Sequence, residues 1–171
     1  MATERNSRTT TAGLGRYEID PDASTVAFRC RAVFGLVPVR GTFTVRSGTV
    51  DVAEPLADSR IRAEIDTASF HTGNRRRDDH VRSPDYLDAA RHPLMTFVAD
   101  QVSVSAVAGA LTVCGVRRPV RLAVTQADAT ADALSVRATT RVDRTAFGIT
   151  TARGMTGRWL DVTLDIRCAR R

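Results

Sequence analysis

The chain has 171 residues, is 43% hydrophobic and carries a formal charge of +6. That length suits one domain able to bury roughly 70% of the surface its unfolded chain exposes, and the apolar share excludes wholesale disorder. All 25 basic residues are arginine and only 5% of the chain is aromatic, with no interleaving of the two as base-stacking platforms need, so specific nucleic-acid binding is not expected.

The first segment, Met1 to Gly15, is rich in Thr, Ser, Arg and Gly and has no apolar core of the secretory kind. It reads as a disordered tail, 1–15, before a folded domain at 16–169, and the chain reads as cytoplasmic. Cys30, Cys114 and Cys168 are odd in number and far apart, with no CxxC or Cys/His spacing. Each falls in an alternating, strand-like run, which makes them small buried hydrophobes in a reducing setting. No run approaches the roughly 18 apolar residues of a membrane-crossing helix.

After the tail, period-two alternation dominates. Val26, Phe28, Cys30 and Ala32 share one face, and Val37, Val39, Gly41, Phe43 and Val45 share the next. Ile61, Ala63 and Ile65 follow, then Met95 to Ala99. Val107, Gly109, Leu111 and Val113 lead to a break at Gly115 and Arg117-Arg118, and Val120, Leu122 and Val124 resume. Leu134, Val136 and Ala138 begin a strand that runs to about Val142, and Leu160, Val162, Leu164, Ile166 and Cys168 make the last. Seven or eight one-sided strands predict an all-β antiparallel barrel or sandwich. Alternation alone leaves open whether the interior is filled or lined, although Gly41 and Gly109 on the inward face would leave room.

One charged stretch interrupts this pattern, RDDHVRSPDYLDAARHPLMTF from Arg77 to Phe97. The region of residues 75–88 predicts a short helix, then a second helical turn begun at Ser83 with Pro84 behind it. Asp78, Asp79 and His80 are acid-base and metal-ligand types, and a metal-dependent or acid-base enzyme is the competing reading. Asp79 and His80 are adjacent, however, and diverge by about 100° on a helix, and HExxH spacing is absent. Ser83 lacks a GxSxG setting, and neither GxGxxG nor GxxxxGK[ST] occurs. No catalytic residue, cofactor or metal is expected; the arginine-based nucleic-acid reading survives only as nonspecific charge attraction.

Five stretches, in order, carry a resemblance: YEIDPDASTVAF (Tyr17–Phe28), VRGTF (Val39–Phe43), IDTASFHTGNRRRD (Ile65–Asp78), the Arg77–Phe97 run itself, and GALTVCGVRRPVRL (Gly109–Leu122). Together they resemble the YceI-like, polyisoprenoid-binding family from about Tyr17 to Cys168. The chain departs from it at Ala23 and near Ala32, where histidine is frequent, and at Ala146 in RTAFGI, where an acid is usual. The resemblance implies an eight-stranded antiparallel lipocalin-like barrel holding a polyprenyl-type lipid (a quinone, polyprenol or polyprenyl phosphate), without catalytic activity and commonly as a homodimer. The alternation assigns the pore lining that this implies to Val26, Phe28, Val39 and Phe43, to Ile65, Phe97, Leu111 and Leu122, and to Val136 and Leu164, with Trp159 expected near a rim. Arg77, Asp78 and His80 are expected at the mouth, near a head group.

Overall fold

The computed structural model describes residues 13–152 and 154–171, so the tail expected at 1–15 lies, for its first twelve residues, outside the described residues. Ten strands form one antiparallel sheet that closes on itself. They are β1 (Gly15–Ile19), β2 (Thr25–Ala32), β3 (Val37–Phe43), β4 (Val45–Val52), β5 (Arg60–Asp66), β6 (Leu94–Val102), β7 (Ala106–Val113), β8 (Val116–Ala129), β9 (Ala133–Asp143) and β10 (Trp159–Arg170). β1 and β2 lie end to end along β10, the first against Cys168–Arg170 and the second against Asp161–Asp165. β3 and β4 lie end to end along that pair in turn. The ten segments therefore make eight staves, and the expected eight-stranded barrel is what forms.

Closure removes most of the free edges an open sheet would expose; β3 pairs with β2 alone, and its other side is met by the Thr42–His71 bridge. Bulges in β4 near Val45/Ser47, in β6 near Ala99/Gln101 and in β8 near Val124/Gln126 supply local curvature. The β7–β8 hairpin turns on Cys114 and Gly115, both with positive φ (52° and 74°), a pattern that matches the right-handed strand twist. Cys114 thus sits in a turn and not, as its neighbours suggested, in a strand.

Two ends follow from this topology. The helix end gathers the turn at 33–36, the long connection 67–93, the turn at 114–115 and the β9–β10 connection. The other end gathers 53–59, 103–105, 130–132, Gly13 and Arg171. The connection 67–93 holds the one α-helix among the described residues, α1 (Arg75–Arg82), capped by Asn74, whose side chain accepts from the Arg77 amide at 3.1 Å. The second helical turn expected at Ser83 is instead a run of turns. Ser83 ends α1, its carbonyl accepts from Tyr86 and Asp88 amides, and Asp88 adopts φ 47°, which stops any helical continuation.

Packing divides among three clusters. Phe28, Phe70, Leu87, Met95, Val113, Phe147 and Ile149 pack beneath the helix end, with the Phe28, Phe43 and Phe70 rings 5.2–5.5 Å apart. Tyr17, Ile19, Val26, Val45, Val52 and Cys168 line one wall lower down, and Phe97, Ala99 and Val107 the opposite one. The inward glycines do not widen the space between these walls. A Cβ on Gly41 would come within 2.3 Å of the Phe28 ring, and one on Gly109 within 2.3 Å of the Val98 carbonyl, so each absorbs a close approach.

Candidate ligand-binding cavity

Between the clusters runs a cavity of about 1410 Å³. Ordinary small-molecule pockets span roughly 300–1,000 Å³, so this one is long enough for a chain-like molecule. Val26, Phe28, Val39 and Phe43 line it, as do Ile65, Phe97, Leu111, Leu122, Val136 and Leu164. These ten positions are the inward parity of their strands.

The remaining position, Trp159, lies elsewhere. Its ring is on the outer face, with the Arg141 and Arg158 guanidinium carbons 4.8 and 5.1 Å from its centroid, and it is 41% exposed. The strand explains the difference: Leu160, Val162, Leu164 and Ile166 point inward along β10, so Trp159 has the opposite parity.

Whether the barrel is filled or lined is decided by burial. Leu122, Val136, Leu160, Val162 and Leu164 face the centre of the molecule yet remain partly exposed. In a close-packed interior such residues are fully covered. Here they border open space instead. That space equals roughly 45 water molecules at about 30 Å³ each, and its middle offers water few polar partners.

Polar groups mark the two ends. Arg77, His80 and Arg144 line the cavity at the helix end, and Glu54, Gln126 and Asp128 line it at the other. Arg77 Nε donates to Thr72 Oγ1 at 2.9 Å. His80 Nε2 lies 3.1 Å from Asp85, and its ring meets Tyr86 edge-on. Arg144 is buried; it donates to the carbonyls of Gly157, Ile149 and Thr156 at 2.8, 2.8 and 3.0 Å, which staples the β9–β10 connection over the mouth. Sequence reasoning missed Arg144 as a mouth residue. The signal was the RTAFGI stretch, matched only as a pattern.

Asp78 does not join the mouth. It is buried beneath α1, accepting from the Thr72 amide through both oxygens and from the Thr72 hydroxyl, with His71 Nδ1 at 3.6 Å. Burial by itself pushes its carboxyl up. The Thr72 hydrogen bonds, helped by Arg82 and His71, outweigh this and hold it below the usual carboxylate range. Asp79 points outward to Arg82. Asp78, Asp79 and His80 therefore face three directions, because successive helical positions diverge, and they share no substrate or ion position. Among the described residues no group of three or more His, Cys, Asp or Glu side chains converges.

The thiols are equally quiet. Burial raises Cys30, with Arg77 and Arg144 opposing, and burial raises Cys168 to about 11. Cys114 is raised by burial and then by Asp88, and its Sγ donates to the Leu87 carbonyl at 3.1 Å. Thiols raised in this way are poor nucleophiles. Of the three, Cys30 alone lines the helix-end half of the cavity, in β2 above Phe28.

Comparison with known proteins agrees with this architecture. A YceI-like domain model matches residues 17–168. A UPF0312 protein of Pseudomonas savastanoi pv. phaseolicola is 38% identical over 94 residues, covering 51% of this chain and 48% of that protein. Protein YceI of Escherichia coli O157:H7 is 35% identical over 114 residues, covering 62% and 59%. The chain thus spans about half to three fifths of the length of these curated relatives. Among solved structures, Burkholderia cenocepacia BcnA superposes with a TM-score of 0.71 at 22% identity, covering 87% of this chain and 98% of that one. A polyisoprenoid binding domain from Saccharophagus degradans, implicated in plant cell wall breakdown, superposes with a TM-score of 0.71 at 19% identity, covering 93% and 100%. At these identities the likeness is one of fold. The match across residues 17–168, joined to the closed barrel and its connection 67–93, places the chain in the YceI-like domain family.

Proposed function

We propose that this barrel binds, and so stores or carries, a long-chain isoprenoid or similar amphiphilic lipid. The observation that carries the proposal is the apolar cavity of about 1410 Å³ running between the barrel's ends. Each buried methylene contributes roughly 0.8 kcal/mol, so one five-carbon unit supplies about 3–4 kcal/mol before association and ordering costs. A few such units give useful affinity without polar contacts, and selectivity then follows from cavity length and width. The polyisoprenoid-binding domain of S. degradans, with the same fold, supports this ligand class.

The three basic groups at the helix end, Arg77, His80 and Arg144, favour a head group that is anionic or a strong acceptor, such as a polyprenyl phosphate or a quinone carbonyl. The tail would then run toward Leu122, Val136 and Leu164. On this reading the protein is a carrier and not an enzyme, which accords with the separate directions taken by Asp78, Asp79 and His80.

The test is native mass spectrometry of the full chain as purified, with organic extraction of co-purifying material and titration with a fluorescent polyprenol. A stoichiometric lipid adduct, or saturable uptake of the probe, supports the proposal. A ligand-free protein that also fails to take up the probe sinks it.

A further inference from the structure

We propose that the helix end of the barrel docks on an anionic phospholipid surface through the β2–β3 turn. Hairpin turns ordinarily carry Gly, Asn, Asp or Ser. This one reads Val33-Phe34-Gly35-Leu36 and runs into Val37. Phe34 is 73% and Leu36 79% exposed, and Val33, Val37 and Met155 are exposed beside them. A single exposed apolar side chain needs no explanation, whereas a contiguous group does.

The contiguity is built in. The Val33 amide donates to the Met155 carbonyl at 2.7 Å and the Phe34 amide to the Gly154 carbonyl at 2.6 Å. A Cβ on Gly154 would come within 2.8 Å of the Phe34 ring, so the turn seats on that glycine. Val33 and Phe34 hold φ of 50° and 53°, a region that β-branched and bulky residues seldom occupy. Ala32 and Met155 belong both to this platform and to the cavity lining, so the apolar turn borders the mouth.

Charge complementarity selects the partner. Arg29 and Arg40 are exposed and stand directly opposite each other across β2 and β3. Like charges so placed repel. Neither forms an ion pair among the described residues, and nor do exposed Arg75 and Arg76 at the start of α1. The acids nearby are already taken: Asp79 by Arg82, Asp143 by Arg158 and Asp161 by Arg141. Trp159 shares an outer groove with Arg29, Arg31 and Phe34.

An apolar tip, a collar of arginine and an exposed tryptophan are the parts an interfacial anchor needs. The tip enters below the head groups, the guanidinium groups meet phosphate, and the indole rests at the boundary. A second copy packed symmetrically on this face would bring the same arginines together, which disfavours it. Docked in this way the barrel would present its mouth to the bilayer as its loading end; that consequence rests on the proposed function, whereas docking itself does not.

The experiment uses the full chain without added cargo and two vesicle types, phosphatidylglycerol mixed with phosphatidylcholine and phosphatidylcholine alone. Flotation and the emission of Trp159, the chain's single tryptophan, are the readouts. Wild type is expected to float with the anionic vesicles at low salt, with blue-shifted emission. Phe34→Ser with Leu36→Ser lowers partitioning at least about tenfold. Arg29→Gln with Arg40→Gln lowers it about tenfold on anionic vesicles only. Val104→Ser, equally exposed at 73% but at the opposite end, leaves it unchanged. Absence of wild-type flotation overturns the proposal, as does wild-type behaviour of the Phe34/Leu36 variant. So does a solution dimer that this variant converts to monomer, which would assign the face to a second copy. Equal urea midpoints for all variants exclude unfolding as the cause. Docking is read without cargo, so its failure and that of the interior-lipid reading are told apart by polyprenol uptake in free solution.

Discussion

A lined barrel makes an unusual prediction about its own core, and one matched pair of substitutions tests it. Val45 and Val136 both point inward. Both line the cavity, but Val45 is 2% exposed and sits in the cluster with Tyr17, Ile19 and Val52, whereas Val136 is partly exposed to the open space. Truncation to alanine removes the same two methyl groups from each. At roughly 0.8 kcal/mol per methyl, plus a cavity penalty, Val45→Ala costs about 2–3 kcal/mol. Val136→Ala opens no new cavity and loses only the covered part of the transfer energy, about 0.5 kcal/mol. The lower strand propensity of alanine affects both and largely cancels. Ligand affinity orders the pair the other way. Val136→Ala removes contacts worth up to about 1.5 kcal/mol, near tenfold in affinity, while Val45, with almost no surface open to the cavity, gives up few ligand contacts, so Val45→Ala changes affinity much less in whatever fraction is folded. Equilibrium urea unfolding gives the first comparison and fluorescent-polyprenol titration the second. Equal stability costs, with affinity unmoved by Val136→Ala, would mean a filled interior and would refute the reasoning.

Three further outcomes follow from particular residues. Asp78 is held below the ordinary carboxylate range in the fold, so it contributes stability that is present above that range and lost as pH falls through it. Asp78→Asn is therefore expected to lower stability at neutral pH by about 1–3 kcal/mol and to flatten the slope of urea midpoint against pH between about 5 and 3, without moving polyprenol affinity. Arg144→Met removes three charge-assisted hydrogen bonds to the β9–β10 connection, and hydrogen exchange is expected to speed up at Ile149–Thr151 and Met155–Gly157 while amides of the far wall, such as Ala99 and Val107, stay protected. Cys30 and Cys168 both line the cavity, but Cys30 is partly exposed whereas Cys168 is buried with its thiol raised to about 11, so polyprenol is expected to slow maleimide labelling of Cys30, and Cys168 to react only after denaturant is added.

Much of the fold was legible because one-sided strands carry a period that physics enforces. β2, β5, β7 and β10 announce themselves through Val26-x-Phe28, Ile61-x-Ala63-x-Ile65, Val107 to Val113 and Leu160 to Cys168. β4 did not, because its middle reads Ser47-Gly48-Thr49 and its apolar positions are sparse. Gly48 is small because Ile19 crosses it, its missing Cβ falling 2.4 Å from Ile19 Cδ1, and no single-strand pattern reveals a partner from another strand. β8 starts earlier than expected, at Val116, because the tight turn at Cys114-Gly115 leaves Arg117, Arg118 and Pro119 inside the ladder.

The cavity was half legible. Parity assigns ten lining residues; Trp159, next to Leu160, has the outward parity of β10 and lies off the cavity. Whether the inward residues meet one another or surround a space depends on barrel diameter and stagger, which are properties of the closed sheet and not of any strand. The mouth was least legible. Arg77, Asp78 and His80 look alike as polar residues in sequence, yet the Thr72 turn draws Asp78 beneath the helix and leaves the other two at the cavity.

The central claim is that the interior holds a lipid chain, and a crystal structure of the protein grown with a polyprenyl phosphate tests it most directly. Continuous density is expected from the head group near Arg77, His80 and Arg144 along the wall formed by Leu122, Val136 and Leu164. A cavity that contains only separate waters, or one closed by inward collapse of those side chains while the lipid is present in excess, would contradict it.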